Sequence, residues 1–280
     1  MGVFEAIILG AVQGIAEFLP VSSSGHLVLL QKIFGISEPA LLFDTAVHGG
    51  TLLAVFIVLR QDIWNILRRI VQPLTLYLII ATVPAVIAAL LFKDYIEAAF
   101  ASGAFLGFAF LGTSAMLVVS EILFRGMNKP GGFPSRLEDA ATGRFQDEMN
   151  SGDALVIGIL QAVAIIPGLS RSGATISGAL ARRLNRDFAA RFSFLLSIPA
   201  ILGALVLQVK GLAGTGAFSR ADIGMLPLAL GTLSAAIVGF FSIRLAMKIV
   251  REHSLAGFAI YTGVLGVLVL IDKFGTHFFF

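Results

Sequence analysis

The stretch "EFLPVSSSGH" (Glu17–His26) lies inside a strongly apolar region and interrupts it with Pro20, three serines and Gly25. A second stretch, "AIIPGLSRSG" (Ala164–Gly173), interrupts another apolar region in similar terms with Pro167, Gly168 and Arg171. Proline removes a backbone donor and glycine frees the chain from helical geometry. Neither region therefore reads as one continuous helix. Glu17, His26 and Arg171 stand at or beside the breaks, so the breaks carry both loose backbone groups and ionisable side chains.

Composition identifies the surroundings. The 280 residues are 57% hydrophobic and 13% charged, with a mean hydropathy of +0.93. Soluble domains carry about 25% charged residues, so the solvent for most of this chain is lipid. The first cation is Lys32, and no basic segment precedes an apolar core as in a secretory leader. The lack of cysteine rules out disulfides, thiolate metal sites and cysteine nucleophiles. No glycine-rich nucleotide loop, metalloprotease histidine pair or nucleic-acid motif is present. Nucleotide hydrolysis and a nucleic-acid partner are therefore unsupported.

A spanning helix needs about 20 mostly apolar residues. Segments near 40–59, 74–92, 103–124, 188–208, 223–243 and 254–272 meet that need. The segments near 3–34 and 153–185 are each broken in the middle, and neither half is long enough to cross. The expected fold is an all-α integral membrane protein with about six transmembrane helices and two re-entrant helical hairpins. The polar stretch 125–152 mixes both charges with Gly and Pro and reads as a solvated loop. It divides a first half (1–124) from a second (153–280) within one membrane domain.

Lysine and arginine mark the cytoplasmic side. With 60–73 inside, Arg60, Arg68, Arg69, Arg125, Lys129, Arg136, Arg144 and the cations of 182–191 and 244–251 all fall inside. Lys32, Lys93, Lys210, Arg220 and Lys273 fall outside. The first hairpin then enters from outside and the second from inside, so the two point at each other. Irregular backbone at membrane depth is tolerated only against protein or a water-filled cavity, which predicts that the breaks meet.

The sequence repeats itself at the same two places. "GAVQGIAEFLPVSSSGH" (10–26) and "GILQAVAIIPGLSRSGA" (158–174) align without gaps, matching Gly10 with Gly158, Gln13 with Gln161, Ala16 with Ala164, Ser22 with Ser170, Ser24 with Ser172 and Gly25 with Gly173. Insertion from opposite sides makes this an inverted repeat. In such folds, sites sit at the repeat interface near the midplane.

An ionisable residue inside a membrane costs about 2.5–3.5 kcal/mol on insertion scales, which makes it a functional candidate. Glu17, Ser22, Ser23, Ser24, Gly25 and His26 cluster at the first break, and Ser170, Arg171 and Ser172 at the second. Arginine suits bidentate phosphate binding, and a loop entering a helix presents N–H groups to anions. Arg171 has two readings here, a salt bridge to Glu17 or a grip on a substrate phosphate, and the flanking hydroxyls favour phosphate. Asp44 and His48 either line the same cavity or sit near the outer surface. Glu121, near an inner helix end, is expected at the interface, as is the anchor Trp64.

These residues resemble the undecaprenyl pyrophosphate phosphatase (BacA) family. "EFLPVSSSGH" and "PGLSRSGATISG" are similar to its two signature segments in order and separation, and length and hydropathy agree throughout. The resemblance implies removal of the terminal phosphate of undecaprenyl pyrophosphate on the outer face of the bacterial inner membrane. That reaction recycles the lipid carrier for cell-wall synthesis and confers bacitracin resistance. It also implies a magnesium or calcium cofactor and frequent homodimers. Carried over by position, Glu17, Ser23, His26 and Arg171 are the catalytic candidates. Gln13, Ser22, Ser24, Gly25, Ser170 and Ser172, together with Arg171, are the binding candidates, and Glu17 is the metal candidate. Ser24 stands where a threonine is common. Gln13 stands where the family usually carries a second glutamate, one turn before Glu17, so a carboxylate-pair metal site is missing. The nucleophile is left open among Ser23, His26 and water. A lipid transporter using the same site without hydrolysis is the competing expectation.

Overall fold

The computed structural model describes residues 1–36, 41–92, 95, 96, 98, 105–128, 143–215 and 224–278. The regular structure of the described chain is helical, α-helical except for a 3₁₀ turn at Gln146–Glu148 and a π-helical segment at Asp272–Thr276, with an isolated bridge between Arg144 and Leu184. Lys93, Lys129, Arg136 and Arg220 lie outside the described residues, as does most of the polar loop (129–142).

Helix α1 (Val3–Ala16) and α2 (Ser23–Ile33) form the first hairpin, and α7 (Ser151–Val163) and α8 (Arg171–Ala181) the second. Between them run α3 (Leu41–Val58), α4 (Arg60–Arg68), α5 (Pro73–Leu91) and α6 (Leu106–Asn128). After them come α9 (Arg186–Thr215), α10 (Met225–Glu252) and α11 (Ala256–Ile271). Among the described residues, five helices are long and apolar enough to cross a membrane. The α3–α4 pair adds a sixth span if its 75° bend is counted within one crossing. These helices agree with an all-α membrane protein of about six spans, but hydropathy did not show that the chain turns sharply at Leu59.

The hairpins pack reciprocally. α1 lies along α10 of the second half, and α7 lies along α5 of the first. Small residues allow both contacts, as is usual between membrane helices. A Cβ on Gly10 would collide with the Gly231 carbonyl, one on Gly14 would come within 2.8 Å of the Ala235 carbonyl, and one on Gly158 within 2.6 Å of the Ala81 carbonyl. α6 and α11 pair with each other, and α3 packs chiefly on α10 and less on α9.

Ion pairs gather the cationic ends at one end of the bundle. Glu121 is buried, not interfacial as its position suggested. Its Oε1 accepts from Arg186 Nη2 at 2.6 Å and Arg125 Nε at 2.9 Å, and its Oε2 accepts from the Leu255 amide. The Arg186 guanidinium lies 4.7 Å over the Phe124 ring. This contact between α6, α9 and the start of α11 needs three segments far apart in sequence.

A second ionic knot ties the polar loop to the hairpin. The fully buried Asp153 takes hydrogen bonds from Arg144 Nη2 and Arg182 Nε, both at 2.7 Å, and from the Asn150 amide at 3.1 Å. Burial pushes its carboxyl up, but the bonds from Arg182, Asn150 and Arg144 outweigh that and hold it below the usual carboxylate range. The Arg144 amide and carbonyl also bond to Arg183 and Asn185.

Candidate active site

The two breaks meet. Ser172 Oγ donates to the Leu19 carbonyl at 3.0 Å, and the Gly168 amide donates to Ser24 Oγ at 3.3 Å. Gly168 has φ +86° and faces Ala109 and Leu106 so closely that no side chain fits. Ser22, with φ +74°, holds a left-handed conformation that a non-glycine residue adopts at a cost of about 1–3 kcal/mol. Its hydroxyl caps α2 by accepting from the Gly25 amide at 3.2 Å. Gly25 lies against Phe110, where a Cβ would sit 2.7 Å from the ring.

Glu17 is the hub. Its Oε1 accepts from Arg171 Nη2 at 2.9 Å, and its Oε2 accepts from Ser23 Oγ at 2.7 Å and Gln13 Nε2 at 2.9 Å. His48 Nε2 comes within 3.7 Å of Oε2 from α3. The carboxylate is 6% exposed and Arg171 16%, so the pair interacts through much less water than a surface pair. The salt bridge entertained for Arg171 is thus present. Arg171 also reaches the Ser193 carbonyl at 3.4 Å through Nη1.

The other candidates take definite places. Ser170 Oγ caps α8 by accepting from the Gly173 amide at 3.0 Å, and it sits 3.3 Å from Ser172 Oγ. Ser170 and Ser172 therefore hold the second break in shape. His26 packs against Phe110 and stacks on Tyr261. Its Nδ1 lies 2.7 Å from the Ser22 carbonyl, and its Nε2 lies 2.7 Å from the Tyr261 hydroxyl. Both ring nitrogens are engaged, Nδ1 within the first break and Nε2 by α11.

Of the undecided pair, His48 faces Glu17 directly. Asp44 pairs with Gln31 at 2.8 Å, and its carbonyl lies 2.6 Å from His48 Nδ1. A carbonyl only accepts, so Nδ1 carries the hydrogen and Nε2 is the atom turned to Glu17. Sequence reasoning missed Thr113, whose hydroxyl accepts from the Ser170 amide at 3.1 Å, and also Ser193 and Tyr261. None of these three lies in a motif. The polarity of "LGTSAM" (111–116) inside a span was the signal available for Thr113.

The donor set does not fit a resident divalent cation. Among the described residues no group of three or more His, Asp and Glu is placed to hold one. Both Glu17 oxygens are occupied, and Gln13 presents its N–H, not its oxygen, to the carboxylate. Gln13 Oε1 is buried without a partner.

Fold and site together define a polytopic membrane protein with an anion-gripping arginine and a carboxylate–serine pair where two broken helices meet. A family model described as "Bacitracin resistance protein BacA" matches residues 6–268, and the chain belongs to that family. It is 44% identical to an undecaprenyl-diphosphatase of Carboxydothermus hydrogenoformans, over 97% of each chain. It is 41% identical to undecaprenyl-diphosphatase 4 of Bacillus thuringiensis subsp. konkukian over 98% of each, and 38% identical to an undecaprenyl-diphosphatase of Methanosphaera stadtmanae over 97% of this chain and 98% of that one.

Proposed function

We propose that this membrane enzyme is an undecaprenyl-diphosphate phosphatase acting through the Glu17–Ser23–Arg171 cluster. The observation that carries the site assignment is the 2.7 Å hydrogen bond from Ser23 Oγ to Glu17 Oε2, beside an arginine that joins the two breaks. A nucleophile within hydrogen-bond reach of its base, oriented by a third group, is the arrangement that covalent catalysis needs. His26 is the weaker nucleophile, because attack would require it to give up the Ser22 carbonyl or the Tyr261 hydroxyl.

Phosphoryl transfer depends mostly on position and charge neutralisation. Arg171 grips the terminal phosphate, helped by amides at the start of α8. Ser23 Oγ attacks the terminal phosphorus, and its proton passes to Glu17. The bond from phosphorus to the bridging oxygen breaks, and undecaprenyl phosphate leaves with that oxygen. Water then cleaves the phosphoserine and releases phosphate. A magnesium or calcium ion, if bound, would be held chiefly by the substrate's own phosphates and would supply charge neutralisation there, since magnesium commonly binds through substrate phosphates and one or two carboxylates. The polyprenyl tail stays in the bilayer, so only the headgroup needs a polar pocket.

Packing of each hairpin on the opposite half supports an inverted repeat with two re-entrant hairpins. The clustering of cations at one end of the bundle supports a cytoplasmic position for that end, with the site reached from the outer face of the inner membrane.

The test is phosphate release from undecaprenyl pyrophosphate by purified protein, with and without magnesium, combined with acid-quench trapping of label from the terminal phosphate. Label on Ser23, lost in Ser23→Ala, supports the route. Full release by Ser23→Ala would show that water or His26 attacks. Release that stays absent in the wild type and appears in Gln13→Glu would show that this chain lacks the second carboxylate its chemistry requires.

A further inference from the structure

Among the described residues, the nine of α4 are the one place where a helix turns off a spanning segment, by 75° at Leu59. A helix bent that far from α3 runs nearer the membrane plane than the membrane normal. Its side chains sort into three sectors. Ile63 and Ile66 pack against the main core. Trp64 and Leu67 are about half exposed and continue the outer apolar surface of α3 at Phe56 and Ile57. Gln61, Asn65 and Arg69 point the third way. At the seam between the last two sectors, the Arg68 guanidinium lies 4.9 Å over the Trp64 ring.

We propose that α4 with Arg69 lies in the headgroup layer and binds anionic phospholipid headgroups. An amphipathic helix with an aromatic–aliphatic side and flanking cations takes this position, and indole and arginine both favour the interface. The helix's own acid is already engaged, because Asp62 sits 3.7 Å from Arg191 of α9. Among the described residues no carboxylate pairs with Arg68 or Arg69, so their charge faces outward. A phosphodiester offers two non-bridging oxygens that the Arg68 fork fits while Trp64 holds its stem. Each surface cation favours an anionic leaflet by about fivefold.

The chain holds a single tryptophan, so Trp64 reports on α4 without an added label. Purified protein is reconstituted in phosphatidylcholine, alone or with phosphatidylglycerol, and Trp64 fluorescence is quenched by lipids brominated at shallow or deep acyl positions. Shallow bromines should quench most. Brominated phosphatidylglycerol should quench more than brominated phosphatidylcholine at equal mole fraction, and high salt should erase the excess. Arg68→Gln should lower the headgroup preference about fivefold, and Arg68→Gln with Arg69→Gln should remove it, with thermal unfolding unchanged as the control for folding. Water-like emission without quenching, strongest quenching by deep bromines, or equal quenching by the two lipids would each overturn the proposal.

Discussion

Arg171 Nη2 lies 2.9 Å from Glu17 Oε1, joining two breaks that stand 154 residues apart in the sequence. The bond keeps the arginine facing the carboxylate–serine pair. Removing one member of a buried pair costs about 3–5 kcal/mol, and losing a donor aimed at developing charge costs about 10²–10³ in rate. Arg171→Ala should therefore lose both phosphate release and thermal stability. Arg171→Lys should recover part of the stability but little activity, since the ammonium lacks the two-pronged fork. Activity and melting temperature measured on the same preparations separate the two effects.

His48 gives a second expectation. Its Nε2 faces Glu17 Oε2 at 3.7 Å, beyond a direct hydrogen bond, so the two side chains meet across the site without bonding directly. His48→Gln should lower kcat a few-fold with KM nearly unchanged and the melting temperature preserved. An unchanged kcat would assign His48 a packing role only.

Gly14 tests the packing of α1 on α10. An added Cβ meets the Ala235 carbonyl and the Gly239 amide, each at 2.8 Å, and backbone cannot yield as a side-chain tip can. Overpacking typically costs about 1–3 kcal/mol. Gly14→Ala should lower the melting temperature and, because Glu17 sits at the end of the same helix, depress activity as well. Gly257→Ala has open space around the new methyl and should do neither.

Asp153 sets a pH dependence. Its folded carboxyl titrates below its ordinary range, so its contribution to stability is complete above the unfolded value near 3.9 and is lost as pH falls through the depressed folded value. Melting temperature measured from pH 7 down to pH 3 should fall at the acid end. Asp153→Asn should start lower and show less of that fall.

Hydropathy made the spans legible because lipid imposes length and apolarity on every crossing. It placed the end of α10 near 243, whereas the helix runs on to Glu252, since Arg244, Lys248 and Arg251 belong to a helix that continues past the apolar stretch. The meeting of Glu17, Ser23 and Arg171 was also legible, because only buried contact satisfies broken backbone at depth. Glu121 with Arg186 was not, as nothing near either residue in sequence names the other. Ser170 and Ser172 read as ligand donors from composition, yet their hydroxyls bond to the Gly173 amide and the Leu19 carbonyl.

The reciprocal embrace of the hairpins bears on biogenesis. α1 begins at Val3 and α10, the helix it lies against, at Met225, so α1 leaves the ribosome well before its neighbour. At about 5–20 residues per second, the first hairpin waits on the order of tens of seconds for its neighbour. During that interval its broken backbone has neither the second break nor α10 to satisfy it. The first hairpin therefore needs shelter, at the insertion machinery or the bilayer surface, until α10 has been made.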